Sequence, residues 1–212
     1  MEKLDFKKAD KAFYTGKPGR WDRLRLPPMT YLAFDGQGDP NGPEFARAIG
    51  ALYPLAYGVK FSRKAAGADF VVPPLEALWW AEDMGAFADN NRQEWRWRAM
   101  LRMPGQVDAD LLEDVCEDVL KKQAKKPDGA LAEVLQKVRL ERLEEGEVLQ
   151  TLYVGPYVDE APVLADLHGR VIPEAGLRPI GRHHEIYLSD ARRVAPEKLR
   201  TILRQPVTMA TP

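Results

Sequence analysis

Shifted along itself so that Gly36 falls on Gly155, the chain also places Pro43 on Pro162, Ala46 on Ala165, Gly50 on Gly169 and Pro54 on Pro173, with no gap between them. Glycine and proline punctuate local structure, so their recurrence at one offset marks a duplicated unit. In each copy a strand pattern comes first, over 29–35 in one and 148–154 in the other, and a glycine ends it. A polar loop follows. A helix then opens near its proline, a residue suited to the first helical turn, with Gly50 and Gly169 tolerated inside. Further strands are expected over 69–80 and 93–103 in the first copy, and over 177–180 and 183–189 in the second. The pair Pro73-Pro74 implies an edge or a bulge.

Around the repeats the pattern changes. Residues 1–28 are expected to be irregular, 29–104 to form the first repeat and 147–190 the second. Between them 107–143 reads as a helical connection of two helices, about 108–123 and 129–143, separated by Lys125-Lys126-Pro127-Asp128-Gly129. In the second of these Leu131, Val134, Leu135 and Val138 mark an apolar stripe suited to covering a sheet. After the second repeat, Leu199, Ile202 and Leu203 give 195–204 the spacing of a short terminal helix. The whole of 29–207 is expected to fold as one domain.

In the run Gly181-Arg182-His183-His184-Glu185-Ile186-Tyr187-Leu188-Ser189-Asp190, a carboxylate and a phenol stand two residues apart on a strand-like segment. Successive strand side chains point to opposite faces. His183, Glu185, Tyr187 and Ser189 therefore share one side, and His184, Ile186 and Leu188 the other. An acid with apolar neighbours resists ionisation until a cation arrives, which makes Glu185 the leading site candidate. The plain alternative is a strand whose polar face is wet.

Several classes of function are excluded at this stage. The balance of 31 basic and 32 acidic residues, with no basic stripe, speaks against a direct nucleic-acid partner, and residues 1–28 are too few for a helix-turn-helix reader. No apolar run approaches the roughly 20 residues that span a bilayer, and the first residues lack a signal-peptide core, so no membrane association and a cytoplasmic location are expected. His183, His184 and Glu185 suggest metal ligands, but strand parity sends His184 away and leaves too few groups for a closed zinc site. No metal and no cofactor are expected. The glycines of 36–42 lack the residues of a phosphate or dinucleotide loop. No serine stands in a nucleophile elbow, and Cys116 on an apolar helix stripe reads as a structural thiol, so covalent catalysis is not expected.

The segments YLAFDGQGDPNGPEFARAIGALYPLAYGVK (31–60), LEALWW (75–80), TLYVGPY (151–157) and HHEIYLSD (183–190), in this order, resemble the GyrI-like small-molecule-binding proteins, with the nearest likeness to the stand-alone branch. Relatives of that family are the effector-binding domains of multidrug-responsive regulators. The resemblance implies an α+β fold, in which two strand-helix-strand-strand units form a curved antiparallel sheet with flanking helices. It further implies a pocket between the halves, lined by aromatics and holding an acid that Glu185 matches. Parity puts Trp95 and Trp97 on one strand face, and makes Trp79 and Trp80 point opposite ways. With Tyr31 and Tyr157 these are the candidate ligand-binding aromatics; the bland account makes each of them core.

Two functions follow from such a cage. As a binding module it would hold a hydrophobic or cationic aromatic small molecule, with ring faces contributing about 0.5–2 kcal/mol each to a cation and Glu185 supplying countercharge. As an enzyme it would admit one water. The resemblance implies a candidate reaction, since stand-alone members include cyclopropanoid cyclopropyl hydrolases that detoxify DNA-alkylating compounds. Glu185 would then accept the water's proton, with Tyr187 or Tyr153 hydrogen-bonding the water or the developing phenolate. A protein partner, as for a gyrase inhibitor, follows only from the family's name.

Overall fold

The computed structural model describes residues 3–82, 91–123 and 130–210; the expected Lys125–Gly129 break lies outside them, as does the side chain of Leu131. The chain folds into two compact units, and every strand pair within them is antiparallel. This is the α+β class that the resemblance implies. The strands in chain order are β1 (Asp22–Leu26), β2 (Met29–Gln37), β3 (Glu76–Trp80), β4 (Arg96–Met103), β5 (Arg139–Leu143), β6 (Gly146–Val154), β7 (Leu177–Pro179), β8 (His183–Tyr187) and β9 (Arg200–Met209). No described helix is long and apolar enough to cross a membrane.

Unit 1 comprises Met1–Ala9, Met29–Pro73 and Ala81–Leu143. Its sheet has β2 in the middle, paired with β4 on one side and β5 on the other. Its helices are α1 (Phe6–Ala9), α2 (Pro43–Ala65), α3 (Ala109–Gln123) and α4 (Ala130–Leu135). Pro43 takes the first turn of α2, where its missing N–H costs nothing. The expected long second helix of the connection is corrected here: α4 stops at Leu135, and 139–143 instead pairs with β2 as β5. The apolar stripe thus ends in a turn, closed by Val138 N–H donating to the Leu135 carbonyl. Cys116 on α3 is half-buried, and burial together with Glu113 and Glu117 pushes its thiol up, away from the reactive thiolate.

Unit 2 comprises Asp10–Pro28, Pro74–Trp80 and Glu144–Pro212, with strand order β1-β6-β9-β8-β3 and β7 added on β9. It repeats the plan of unit 1, since β6 lies between β9 and β1 as β2 lies between β4 and β5. Two expectations fail in this unit. The segment 1–28 contains β1, which pairs with β6 along its whole length. The terminal helix is replaced by a single 3-10 turn, Pro196–Lys198, and the ten-residue strand β9. Seven consecutive residues of β9 from Thr201 to Val207 are buried, and in a strand covered on both faces apolar residues need not alternate, so Ile202 and Leu203 mimic helical spacing. The helix of the second copy runs as α5 (Ala161–Asp166), a π-helical turn Leu167–Val171 and α6 (Ile172–Glu174). The widened turn sits just before Pro173, which has no N–H to continue the ladder.

The aligned glycines Gly36 and Gly155 do the same work in both copies: each yields space to an aromatic. A Cβ on Gly36 would overlap the ring of Trp97, itself stacked on Phe34 and met edge-on by Phe45. A Cβ on Gly155 would lie 2.6 Å from the Tyr153 hydroxyl, and its φ of +150° is one that side chains rarely adopt. Gly36→Ala is expected to destabilise the protein by about 1–3 kcal/mol, because the Trp97 ring has no room to retreat. Gly50→Ala, with open space around its Cβ inside α2, is expected to stabilise by about 0.5–1 kcal/mol. Denaturant melts of the two variants side by side check the pair of signs.

Candidate functional site

The two faces of β8 do different work. On one face Ala77, Glu185 and Leu203 are register partners across β3, β8 and β9, flanked by Trp79 opposite His183 and by Tyr187 opposite Thr201. The opposite face carries His184 between Leu78 and Arg204, with Glu76 opposite Ile186. All of these residues belong to unit 2.

The face of His184 holds a buried ion network. Its ring stands between two carboxylates, Nδ1 at 2.9 Å from Glu145 and Nε2 at 3.0 Å from Glu76. Glu145 also holds Arg204 at 3.1 Å, and Arg204 donates to Gln150 and to the Phe13 carbonyl. Gln150 in turn donates to the carbonyls of Ala12 and Thr15, and the Tyr14 hydroxyl donates to Glu76. Burial works against the charge on His184, but the carboxylates outweigh it and raise the imidazole to about 9. Burial likewise opposes the charge on Glu145, which His184 and Arg204 nevertheless pull down to about 2. Each ring nitrogen of His184 faces a carboxylate at 3.0 Å or less, and its place is structural.

The other face is an acidic aromatic site. The Tyr187 hydroxyl donates to Glu185 Oε2 at 2.8 Å and accepts from the Trp79 indole N–H at 3.2 Å. Its single proton is therefore committed to Glu185. Tyr157 meets Tyr187 edge-on at 5.5 Å between centroids. A second acid, Glu160, joins them from the start of α5 and is only 5% exposed. Burial, then the charge of Glu185, pushes Glu160 up to about 10. Burial is also the main cause that raises Glu185 to about 7, opposed by the hydrogen bond from Tyr187. Two carboxyls that share a poorly solvated space cannot both ionise cheaply, and the pair holds a proton at neutral pH. Tyr157, pushed up to about 12 by burial and by these acids, stays a neutral phenol.

Some of the buried unpaired polar atoms lie on this face. Both ring nitrogens of His183 and Oε1 of Glu160 are buried without a hydrogen-bond partner. His183 Nε2 is 3.7 Å from Glu185 Oε1, beyond hydrogen-bond reach. A buried orphan group costs about 1–3 kcal/mol, a cost that a hydrogen-bonding water or ligand would offset.

The remaining aromatics read from the sequence fall as follows. Tyr153 donates its hydroxyl to the Pro156 carbonyl and closes the turn that leads to Glu160. Trp80 points away from Trp79 and lies under the Arg182 guanidinium, 3.5 Å from its ring centre. Trp95, Trp97 and Tyr31 belong to unit 1. There Trp97 is fully enclosed and Tyr31 is 1% exposed with its hydroxyl on Met29 Sδ, while Trp95 faces Arg92. Glu160 was missed by the sequence reading. Its one signal is that the duplication aligns it with Asn41, so the second copy places an acid where the first has an amide.

Comparison with known proteins shows the family to which the chain is similar. Residues 24–208 match the family described as GyrI-like small molecule binding domain. An uncharacterized conserved protein from Listeria innocua is 41% identical, with a TM-score of 0.86 over 97% of this chain and 100% of that one. A hydrolase from the same organism is 40% identical, with a TM-score of 0.84 over 98% of this chain and 100% of its own. The C-terminal domain of EcmrR shares the fold at 10% identity, with a TM-score of 0.54 over 90% of this chain and 98% of that domain. No curated protein matches the chain.

Proposed function

The chain belongs to the GyrI-like small-molecule-binding family, and on that premise we propose that the Glu185 face of unit 2 captures flat, amphipathic or cationic aromatic xenobiotics and hydrolyses cyclopropanoid alkylating compounds by adding water to the cyclopropane. The observation that carries this reading is the acid pair. Glu160 and Glu185 are buried beside Trp79, Tyr157 and Tyr187; burial raises both, and the hydrogen bond from Tyr187 to Glu185 together with the charge of Glu185 on Glu160 sets their proton affinities apart. Two carboxyls separated in this way are suited to one acid role and one base role. The likeness to a hydrolase over nearly the whole chain supports the catalytic form of the proposal.

The step balances with these groups. Water's oxygen bonds to the cyclopropane methylene carbon as that carbon's bond to the dienone ring breaks, and the released electron pair passes through the ring to the carbonyl oxygen. Ionised Glu185 takes the proton from the water. Protonated Glu160 donates to the developing phenolate, so the proton held by the pair moves from one carboxyl to the other and is reset through solvent. Tyr187 and Trp79 fix Glu185 in orientation, and no covalent intermediate is required.

The test is incubation of the purified protein with an activated cyclopropane alkylator, followed by liquid chromatography and mass spectrometry of the ring-opened, hydrated product. Many product molecules per protein are expected. Tight binding without product would leave a sequestering module, and neither binding nor product would overturn the proposal.

A further inference from the structure

His183 is the group at this face that neither the fold nor the proposed hydrolysis accounts for. It lies two residues before Glu185 on the same side of β8, opposite Trp79, and its side chain is 11% exposed. Neither ring nitrogen has a hydrogen-bond partner. Its neighbour on the other face, His184, has a carboxylate on each nitrogen, so the strand carries two imidazoles treated in opposite ways.

Burial, then the proximity of His168 and His184, holds the His183 ring neutral, with its proton affinity lowered to about 3. A neutral imidazole bears one N–H donor and one bare nitrogen acceptor. Filling such a position with a ring of the same shape and no polar atoms would cost the fold nothing, since the native ring makes no hydrogen bond. The free donor and acceptor therefore add nothing to stability. They lie on the same side of β8 as Glu185, where an aromatic ligand is proposed to lie.

We propose that His183 is a specificity residue that hydrogen-bonds a hydroxyl or carbonyl on the bound aromatic ring, so that the site selects aromatics bearing such a group over otherwise identical ones without it. The inference rests on the binding reading of the Glu185 face given above. It extends that reading from ring stacking and countercharge to recognition of a neutral polar substituent. Sites built to pair with a polar group on the ligand discriminate strongly against analogues lacking it, because binding the analogue leaves the site's own polar atoms unpaired.

The experiment compares 2-naphthol with naphthalene by isothermal titration calorimetry on the full chain, in the parent protein and in His183→Phe and His183→Asn. The parent is expected to prefer 2-naphthol by at least tenfold. His183→Phe should bind naphthalene as the parent does or better and lose most of that preference, with a Tm no lower than the parent's. His183→Asn, which keeps a donor and an acceptor, should retain part of it. Equal affinity for the two probes in the parent, or an unchanged preference in His183→Phe, overturns the role of His183 while leaving the aromatic site in place. Failure of both probes to bind the parent overturns the binding reading itself, and this inference with it.

Discussion

Replacing Glu185 by Gln is expected to cut turnover of a cyclopropanoid alkylator by about 10² to 10⁴, the usual worth of a positioned proton acceptor. Affinity should change by less than about tenfold, or ~1.4 kcal/mol. The amide occupies the same volume and still accepts from Tyr187, so the aromatic surfaces of Trp79, Tyr157 and Tyr187 keep their places. Only the capacity to take a proton is removed. Single-turnover rates and equilibrium binding measured on the same preparation separate the two effects, and a variant that turns over like the parent would remove Glu185 from the mechanism.

The same pair fixes a pH profile. Activity should rise as Glu185 loses its proton near pH 7 and fall as Glu160 loses its own near pH 10, giving a bell whose limbs belong to the pair rather than to either residue alone. In Glu160→Gln the like-charge neighbour is gone. The alkaline limb should then disappear while the rise near pH 7 stays in place, because in the parent Glu160 is still protonated, and so carries no charge, when Glu185 ionises. A profile unchanged by this substitution would show that Glu160 is not the group that ionises on the alkaline side.

Glu185 was legible in the sequence and Glu160 was not, for a physical reason. Strand parity is local: two residues apart on an extended segment means one face, and β8 carries His183, Glu185 and Tyr187 together. Burial is not local. Glu160 stands in Tyr157-Val158-Asp159-Glu160, a polar stretch whose acids are ordinarily solvated, and nothing within it says that Glu160 alone turns inward. The repeat was legible because glycine and proline keep their backbone roles in both copies, as Gly36 and Gly155 show. The strands β1, β5 and β9 were not. Each is short, or covered on both faces, and acquires its identity from the partner it pairs with rather than from its own alternation. Leu199, Ile202 and Leu203 fit a helix and a doubly buried strand equally well.

The ion network on the other face of β8 should carry the largest stability effect in the molecule. Glu145 is the one carboxylate that holds both buried cations, His184 and Arg204. Its replacement by Gln leaves Arg204 without its one charged partner among the described residues and weakens the hold on His184. Breaking a buried pair from one side costs about 3–5 kcal/mol, or roughly 6–20 °C in Tm for a chain of this size. The loss should depend on pH. His184 is raised to about 9 from an unfolded value of 6.5, so its contribution is complete below about pH 6.5 and fades as pH rises through 9. Glu145 is lowered to about 2 from 4.5, so its contribution is complete above about pH 4.5 and fades as pH falls toward 2. The stability difference between parent and Glu145→Gln should therefore peak between about pH 4.5 and 6.5 and shrink on both sides, whereas a mere packing defect would give a difference flat in pH. Because Arg204 and Gln150 also hold the backbone at Ala12, Phe13 and Thr15, limited proteolysis of the folded variant should cut first within 10–28. That order of cleavage would show that the charges on one face of β8 anchor the amino-terminal segment.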